Sequence, residues 1–360
     1  MWEIEIIKDW NRLWCDDFQA KWLRVMDESP NAHVFFHPAL VKAWVDTYLS
    51  LRNLDPLFIY GRHNNTNVEV IFPLVLWRQN WKNAFRKLVV PMGHSDFDYH
   101  DPIFSKKIDS DSVQSFYQSL LPLLPSADQI VLDGLHILYI PQTFEIKSEI
   151  ICPCFSLESY STIEDYSKTL KKSFFNDYLR TSKRLTEQHG DIVNRFYSQE
   201  EFQEALLELD VMLDVHRKRW PDAYKAPHFH KNILKEGLES NIVLFTTGSV
   251  HGETISWYIC FIYKKRLMFY MPTIREEYHT FSPGKISIFN CINYAINNNY
   301  SVVDHLKGDE PYKRIWAKEK EVVYNVALNN KSFVSSIKKS INLLSSLLLN
   351  LLILIRRKTK

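Results

Sequence analysis

The chain has 360 residues, which is long enough for two domains because a single core rarely grows beyond about 250 residues. Hydrophobic residues make up 46% of the chain and aromatic residues 14%, so we expect most of it to be folded. A net charge of +2 excludes a strongly basic nucleic-acid binder as the default interpretation, and we expect no nucleic-acid partner.

The cysteine pattern and the first residues predict a cytoplasmic protein. The chain has five cysteines and no CxxC pair, an odd count that is typical of reduced thiols. The start, M-W-E-I-E-I-I-K-D-W, contains acids and no long apolar run, so it predicts a first strand rather than a secretion signal. Cys152 with Cys154, and His228 with His230, lack further ligands at a recognisable spacing, and we predict no metal site.

Strands and helices alternate in the first part of the chain, residues 1–155, which predicts an α/β layered N-terminal domain. The apolar spacing after Phe36 predicts a helix to about Leu51. The later predicted elements are strands over 57–61, 68–77 and 88–91, a helix over 111–124 and a strand over 129–132.

A loop dense in acids and histidines, G-H-S-D-F-D-Y-H-D-P at 93–102, interrupts this part. Its Asp96 and Asp98 are candidates for binding an acceptor substrate, because carboxylates can recognise sugar hydroxyls or amines. The alternative is an acidic, solvated loop.

A second domain is predicted over 156–330. It begins at 156–159, followed by a basic helical stretch over 163–190, for which Gly190 is a C-cap. Lys264 and Lys265 form the turn of a predicted antiparallel hairpin. The other elements are helices over 199–220, 229–240 and 285–298, a helical turn over 312–317, and strands over 191–197, 242–247, 253–263, 266–273, 301–306 and 322–328.

The segment F-S-P-G-K at 281–285 has the features of a helix start that binds an anion. Ser282 is a natural N-cap, and Gly284 lets a ligand approach the backbone. Lys285 adds a positive charge for a pyrophosphate. The alternative is a capped helix without a ligand.

The run V-V-D-H-L-K-G-D-E-P-Y-K-R-I-W at 302–316 concentrates charged groups at the end of a buried strand, where open α/β sheets bind ligands. Aminolysis of a thioester needs a base for the amine and an acid for the leaving thiolate. Asp304 or Glu310 is the candidate base, Tyr312 the candidate acid and Lys313 the candidate phosphate contact. The alternative is an ion-paired surface turn.

Arg219 and Trp220 end the helix predicted over 199–220 and offer a cation and a ring to an acceptor, although cations at a helix C-terminus also have a purely structural explanation. Residues 331–360 form a separate tail, nearly all Leu and Ile from 341 to 355 and closed by basic residues. Its apolar run is shorter than the ~20 residues of a membrane span. It predicts an amphipathic helix that contacts the membrane surface over 337–358, or that packs on protein.

These motifs together resemble the GNAT-type acetyltransferases described as CelD-like, from cellulose and exopolysaccharide gene clusters, and more distantly the FemAB aminoacyl transferases. The resemblance covers roughly 30–330 and is carried by L-x-K-S-F-F-N-D-Y-L-R-T-S-K-R-L, H-R-K-R-W, F-S-P-G-K and V-D-H-L-K-G-D-E-P-Y-K-R-I-W, with F-F-H-P-A-L-V-K-A-W and G-H-S-D-F-D-Y in the first half. It implies two GNAT-like domains, each a mixed, mostly antiparallel sheet flanked by helices, of which the second binds acyl-CoA. The chain departs from the family at His305, where an aromatic residue is usual, and in S-P-G-K, which replaces a glycine-rich loop.

The sequence and the resemblance lead to the hypothesis of an N-acyltransferase that is peripheral to the inner face of the membrane. It would move an acyl group from acetyl-CoA or another acyl-CoA to an amine on a sugar or glycan precursor in polysaccharide biosynthesis. Two alternatives stay open: a FemAB-like transferase that uses aminoacyl-tRNA, and a non-catalytic, membrane-docked assembly factor.

Overall fold

The computed structural model describes residues 1–221, 226–330 and 338. The described strands are β1 Trp2–Ile7, β2 Asn53–His63, β3 Glu69–Arg78, β4 Lys87–Pro91, β5 Ile103–Phe104, β6 Gln129–His136, β7 Glu145–Ser156, β8 Val193–Tyr197, β9 Val243–Val250, β10 Glu253–Tyr263, β11 Arg266–Ile274, β12 Val302–Asp304 and β13 Glu319–Asn329. The described α-helices are α1 Trp10–Leu13, α2 Asp16–Glu28, α3 Pro38–Tyr48, α4 Ser110–Leu120, α5 Ile163–Ser167, α6 Lys172–His189, α7 Phe202–Arg219, α8 Phe229–Glu239, α9 Pro283–Asn297 and α10 Lys313–Trp316.

The chain divides into two compact units that are not contiguous in sequence. The first unit contains 1–41, 48–149 and 323–330, and the second contains 42–47 and 150–322. The predicted border at 155 lies near the change from Glu149 to Ile150. The sequence analysis did not foresee that the middle of α3 belongs to the second unit, nor that most of β13 belongs to the first.

The first unit is built on a sheet with the order β1-β2-β3-β4-β6-β13, with β5 beside β3. Its strand pairs are antiparallel except β4 with β6. Large aromatic side chains such as Trp22, Phe58 and Phe72 are buried in its core. Burial of each such ring contributes roughly 2–3 kcal/mol, so packing dominates the stability of this unit.

The second unit has the sheet order β7-β12-β11-β10-β9-β8, in which β11 and β12 pair in parallel and the other described pairs are antiparallel. One face of α9 carries Ile288, Ile292 and Ala295 into a core that also includes Tyr258 and Leu267 of the sheet. The predicted mixed α/β class, with mostly antiparallel sheets and flanking helices, is confirmed for the described residues.

Local sequence explains the β10–β11 hairpin. Lys264 and Lys265 have φ of 44° and 59°, and two successive left-handed residues give the turn whose twist matches an antiparallel pair. Tyr263 therefore lies opposite Arg266, as predicted. Gly190 follows α6 at φ 73°, so its place as the C-cap is also confirmed.

The prediction of one continuous helical stretch over 163–190 was wrong, because residues 168–171 separate helix α5 from helix α6. The break lets Tyr166 and Leu170 both enter the core, and the Tyr166 hydroxyl donates to Trp316 O at 2.9 Å. Strand β7, from Glu145 to Ser156, was not predicted from the sequence. Its first residues are charged and exposed, and they lack the apolar alternation that marks a strand.

Candidate active site

A pocket of about 600 Å³ lies within the second unit. Its walls come from α6, the end of α7, β10, β11, the start of α9 and the turn that leads into α10. Most of the side chains that the sequence singled out line this one pocket: Arg219, Trp220, Ser282, Gly284, Lys285, Glu310 and Tyr312.

The pocket lies beside the part of β11 that continues past the end of β12. The two strands pair in parallel from Arg266 opposite Val302 to Met268 opposite Asp304, where β12 ends. β11 continues to Ile274, and its last residues form one wall of the pocket. A strand edge beyond its last partner presents backbone N–H and C=O groups, so an extended ligand can pair with it.

Helix α9 begins at the pocket. Ser282 is the N-cap residue at φ 54° and ψ 49°, but its side chain makes no capping hydrogen bond, which corrects the capping role predicted for its hydroxyl. Pro283 has no N–H, and the Lys285 N–H donates to Ser282 O at 3.0 Å. A Cβ on Gly284 would lie 3.6 Å from Ile274 Cγ2, an ordinary contact. The protein therefore does not itself require glycine here, and the space in front of Gly284 is available to a ligand.

The positive charge of Lys285 is partly compensated. Its Nζ lies 2.5 Å from a carboxylate oxygen of Asp177 and 5.2 Å from the centre of the Phe174 ring. Asp177 also accepts from Arg180 at 2.5 Å. Lys285 and then Arg180 lower the pKa of Asp177, so the carboxylate stays ionised at neutral pH. An anionic ligand would share Lys285 with Asp177.

Asp304 does not line the pocket. It is fully buried, and its carboxylate accepts from Arg266 Nη1 at 2.8 Å and from the Leu306 N–H at 2.7 Å. Arg266 also pairs with Glu321 at 2.6 Å. The carboxylate proposed as a base from its place at the strand end is thus engaged in an ion pair and in the turn that follows β12.

We predict that Asp304→Asn lowers the free energy of unfolding by about 3 kcal/mol, because it leaves Arg266 without its buried partner. Glu321→Gln is the matched control: it removes the more exposed partner of the same guanidinium, and we expect a loss of about 1 kcal/mol or less. Urea unfolding of both variants measures the difference. Equal losses would contradict the structural role of Asp304.

The side chain of Lys313 is also buried in the protein, and it does not line the pocket. Its ammonium donates to Lys307 O at 2.6 Å and lies 2.9 Å from Glu310 Oε2. A buried ammonium needs such partners because desolvation otherwise disfavours its charge. These contacts hold the ammonium beside Glu310, and Lys313 as a phosphate contact stays a prediction.

Glu310 and Tyr312 form the polar end of the pocket. The side chain of Glu310 is 52% exposed and within reach of solvent and ligand. Burial, with a smaller effect of Glu310, raises the pKa of Tyr312 to about 12. Tyr312 therefore keeps its proton at neutral pH and can donate it, whereas the neighbouring carboxylate can accept one.

Gly308 sets the position of Glu310. It has φ +112°, and a Cβ there would lie 2.5 Å from Glu310 Oε2. We predict that Gly308→Ala costs about 1–3 kcal/mol of stability through backbone strain and also displaces the carboxylate, which lowers any acyl-transfer rate. Gly252→Ala is the control, since Gly252 has φ +80° and nothing within 4 Å of an added Cβ. Thermal unfolding should shift comparably in both variants, and the rate should fall only in Gly308→Ala.

Another part of the pocket lining is cationic and aromatic. Arg219 and Trp220 stand at the end of α7, with the guanidinium 5.8 Å from the indole centre and the indole 55% exposed. His216 also lines this side, and burial, with a smaller effect of Arg219, lowers its pKa, so the imidazole is neutral at pH 7. This side offers one fixed positive charge and a ring face.

Asp96 and Asp98 lie in the first unit, in the loop after β4. Both are half-buried, and Asp96 accepts from the Tyr48 hydroxyl at 3.1 Å. The tight turn that holds them begins at Gly93, whose carbonyl accepts from the N–H groups of Asp96 and Phe97 at 2.9 Å each. They belong to a separate unit from the pocket and stay a prediction as acceptor-binding residues.

The sequence analysis missed Thr273, which lines the pocket, and gave no role to Asp177, which pairs with Lys285. Asp177 stands in the quoted motif K-S-F-F-N-D-Y without a recognisable partner, and Thr273 is a threonine in an apolar strand. Arg266 could have been found by pairing the hairpin with the strand that ends at Asp304, because the parallel register places them near each other.

Among the described residues, no three His, Cys, Asp or Glu side chains gather as a metal site. None of the helices within 1–221 and 226–330 combines the length and apolarity that crossing a bilayer requires. The predicted amphipathic tail, 331–360, and its membrane contact over 337–358 lie outside the described residues apart from Lys338.

Comparison with known proteins points to one type of domain. A family model described as an acetyltransferase (GNAT) domain matches residues 172–314, less than half of the chain. Each of the predicted residues that line the pocket falls inside this segment. No curated protein matches the chain. The match confirms the coarser part of the resemblance, a GNAT acetyltransferase domain, and leaves the CelD-like type a prediction.

Solved structures share the fold over most of the chain. FemX has a TM-score of 0.63 at 9% identity, covering 94% of this chain and 100% of that one. A conserved protein of unknown function from Bacteroides thetaiotaomicron has a TM-score of 0.54 at 11% identity, covering 91% and 100%. The C-terminal DUF2156 domain of a putative lysylphosphatidylglycerol synthetase from Agrobacterium fabrum has 0.51 at 10%, covering 82% and 94%. At such identities the similarity shows the fold alone.

Proposed function

We propose that this protein is an N-acyltransferase that moves an acyl group from acyl-CoA to an amine on a sugar or glycan precursor. The observation that carries the proposal is the single pocket where the start of α9 meets Glu310 and Tyr312, inside the segment that matches a GNAT acetyltransferase domain. The pocket combines a place for an anion with a base and an acid.

The donor would lie along the free edge of β11. Its pyrophosphate would bind at the start of α9, where the helix dipole and Lys285 favour negative charge and Ser282 and Gly284 leave space. The pantetheine arm would then follow the segment from Pro272 to Ile274 toward Tyr312.

The polar end of the pocket would carry out the transfer. The acceptor amine attacks the thioester carbonyl, forming the C–N bond, and Glu310 takes the proton that the nitrogen releases. Collapse of the tetrahedral intermediate breaks the C–S bond, and Tyr312 gives its proton to the leaving CoA thiolate. Solvent restores the phenol and carries away the proton held by Glu310. Lys313 keeps the carboxylate in place through the contact at 2.9 Å.

The acceptor would occupy the side formed by Arg219 and Trp220. Aromatic faces stack on sugar rings, and the guanidinium can bind a carboxylate or phosphate on a glycan precursor. The half-exposed indole beside a fixed cation supports this class of acceptor.

A second candidate is a transferase that uses aminoacyl-tRNA, which the similarity of fold to FemX favours. The basic residues of 168–184 would be its tRNA contact. Several of them already pair with acids close by in the sequence: Lys168 with Asp165, Arg180 with Asp177 and Lys183 with Glu187. This internal pairing reduces the charge that phosphates would meet, so acyl-CoA is the preferred donor.

Calorimetric titration of the full chain with acetyl-CoA, and with free CoA for comparison, tests the proposal. We expect micromolar dissociation constants for both, because both carry the pyrophosphate. Binding to neither, together with tRNA binding that weakens steeply with salt, would favour the tRNA-dependent candidate. Binding to none of the three would indicate a non-catalytic protein.

A further inference from the structure

One polar atom in the wall of the pocket is unsatisfied. Thr273 lies near the end of β11, opposite Trp257 of β10, and is 5% exposed. It lines the pocket, and its Oγ1 is buried without a hydrogen-bond partner among the residues that the structure describes. Nothing in the β10–β11 pairing needs this hydroxyl, since the ladder uses only backbone groups.

Several other buried hydroxyls in the same unit have partners, although Ser182 Oγ, like Thr273 Oγ1, has none among the described residues. Ser256 and Ser287 bond to each other at 2.9 Å, and Thr181 donates to Asp177 O at 2.9 Å. Buried polar groups in folded proteins are nearly always bonded, and an exception calls for a missing partner. Because Thr273 lines the pocket, a ligand bound there is in a position to supply that partner.

The surroundings indicate what the ligand atom is. Pro272, beside Thr273, has no N–H, so the strand edge lacks one backbone donor at this point. Tyr258 and Tyr312 also line the pocket, and burial is the main cause that raises the pKa of each, which keeps both phenols protonated. A wall of neutral hydroxyls suits a hydrogen-bond acceptor such as a carbonyl oxygen.

We propose that the Thr273 hydroxyl donates a hydrogen bond to a carbonyl oxygen of the bound acyl-CoA, and that Thr273 is a binding residue for the donor substrate. The inference rests on the proposed function. The donor offers two kinds of carbonyl group as the acceptor: that of the thioester, which free CoA lacks, and those of the two pantetheine amides, which both ligands carry.

Thr273→Val tests the inference because it replaces the hydroxyl by a methyl group of similar size. Without ligand, its melting temperature should equal or exceed that of the wild type, since an unsatisfied buried hydroxyl is removed. Its affinity for the ligand should fall about 5- to 20-fold, as expected for one lost hydrogen bond. Thr273→Ser keeps the hydroxyl and should retain most of the affinity.

Comparing the affinities for acetyl-CoA and for free CoA distinguishes the possible outcomes. A loss for acetyl-CoA alone assigns the hydroxyl to the thioester carbonyl, and a loss for both assigns it to a pantetheine amide; either supports the inference. Unchanged affinity of Thr273→Val for both ligands, or a lower melting temperature of the free variant, would overturn it. Wild-type protein that binds neither ligand would refute the proposed function, and the inference with it.

Discussion

A Glu310→Gln variant is expected to lose about 100- to 10,000-fold in acyl-transfer rate while it binds acetyl-CoA nearly as well as the wild type. Glutamine preserves the shape of the side chain and can still accept a hydrogen bond from Lys313, but it cannot take a proton from the amine. Release of CoA thiol from acetyl-CoA, measured with a panel of amino sugars, gives the rate, and calorimetry gives the affinity.

Asp309→Asn is the matched control for this variant. Asp309 is the neighbouring acid of the same turn and pairs with Arg314, and it does not line the pocket. Its substitution should leave the rate within a few-fold, since an exposed ion pair contributes about 1 kcal/mol or less. If Asp309→Asn slows transfer as much as Glu310→Gln, the effect belongs to the turn and not to a base.

Gly284→Trp is expected to weaken acyl-CoA binding by at least about 100-fold, or about 2.7 kcal/mol. The indole would fill the pocket in front of α9, where the pyrophosphate is proposed to bind. Gly284→Ala is the control, because its Cβ makes only an ordinary contact with Ile274 and alanine favours a helix. Calorimetry on both variants, with thermal unfolding to verify the fold, measures the effect. Full affinity in Gly284→Trp would show that the pyrophosphate binds elsewhere.

The parts of the fold that could be predicted are those that local chemistry decides. The polar pair Lys264 and Lys265 between two apolar runs determines a hairpin without help from distant residues. Pro283 likewise marks the first turn of α9. The long-range partners could not be predicted, because nothing in the apolar pattern of β13 distinguishes β6 from any other strand.

The same difference between local signals and long-range partners explains which residues of the candidate site could be predicted. Gly284 and Glu310 belong to short motifs that carry their own geometry, and both line the pocket. Asp304 looks the same in the sequence whether it serves catalysis or an ion pair, and the partner that decides the matter, Arg266, is 38 residues away. Thr273 could be recognised only because its buried hydroxyl has no hydrogen-bond partner among the described residues. This property exists only in the folded protein.

Strand β13 pairs with β6 of the first unit although most of the second unit lies between them in the sequence. This affects how the chain folds while it is synthesised. Gln129 of β6 and Asn329 of β13 bond across 200 residues of chain, and Val323, Val326 and Ala327 of β13 are buried. At about 5–20 residues per second, the ribosome needs about 10–40 s to make that stretch, during which the edge of β6 has no partner strand. The N-terminal half therefore emerges as an incomplete sheet, and this interval is the period in which a nascent chain would depend most on chaperones.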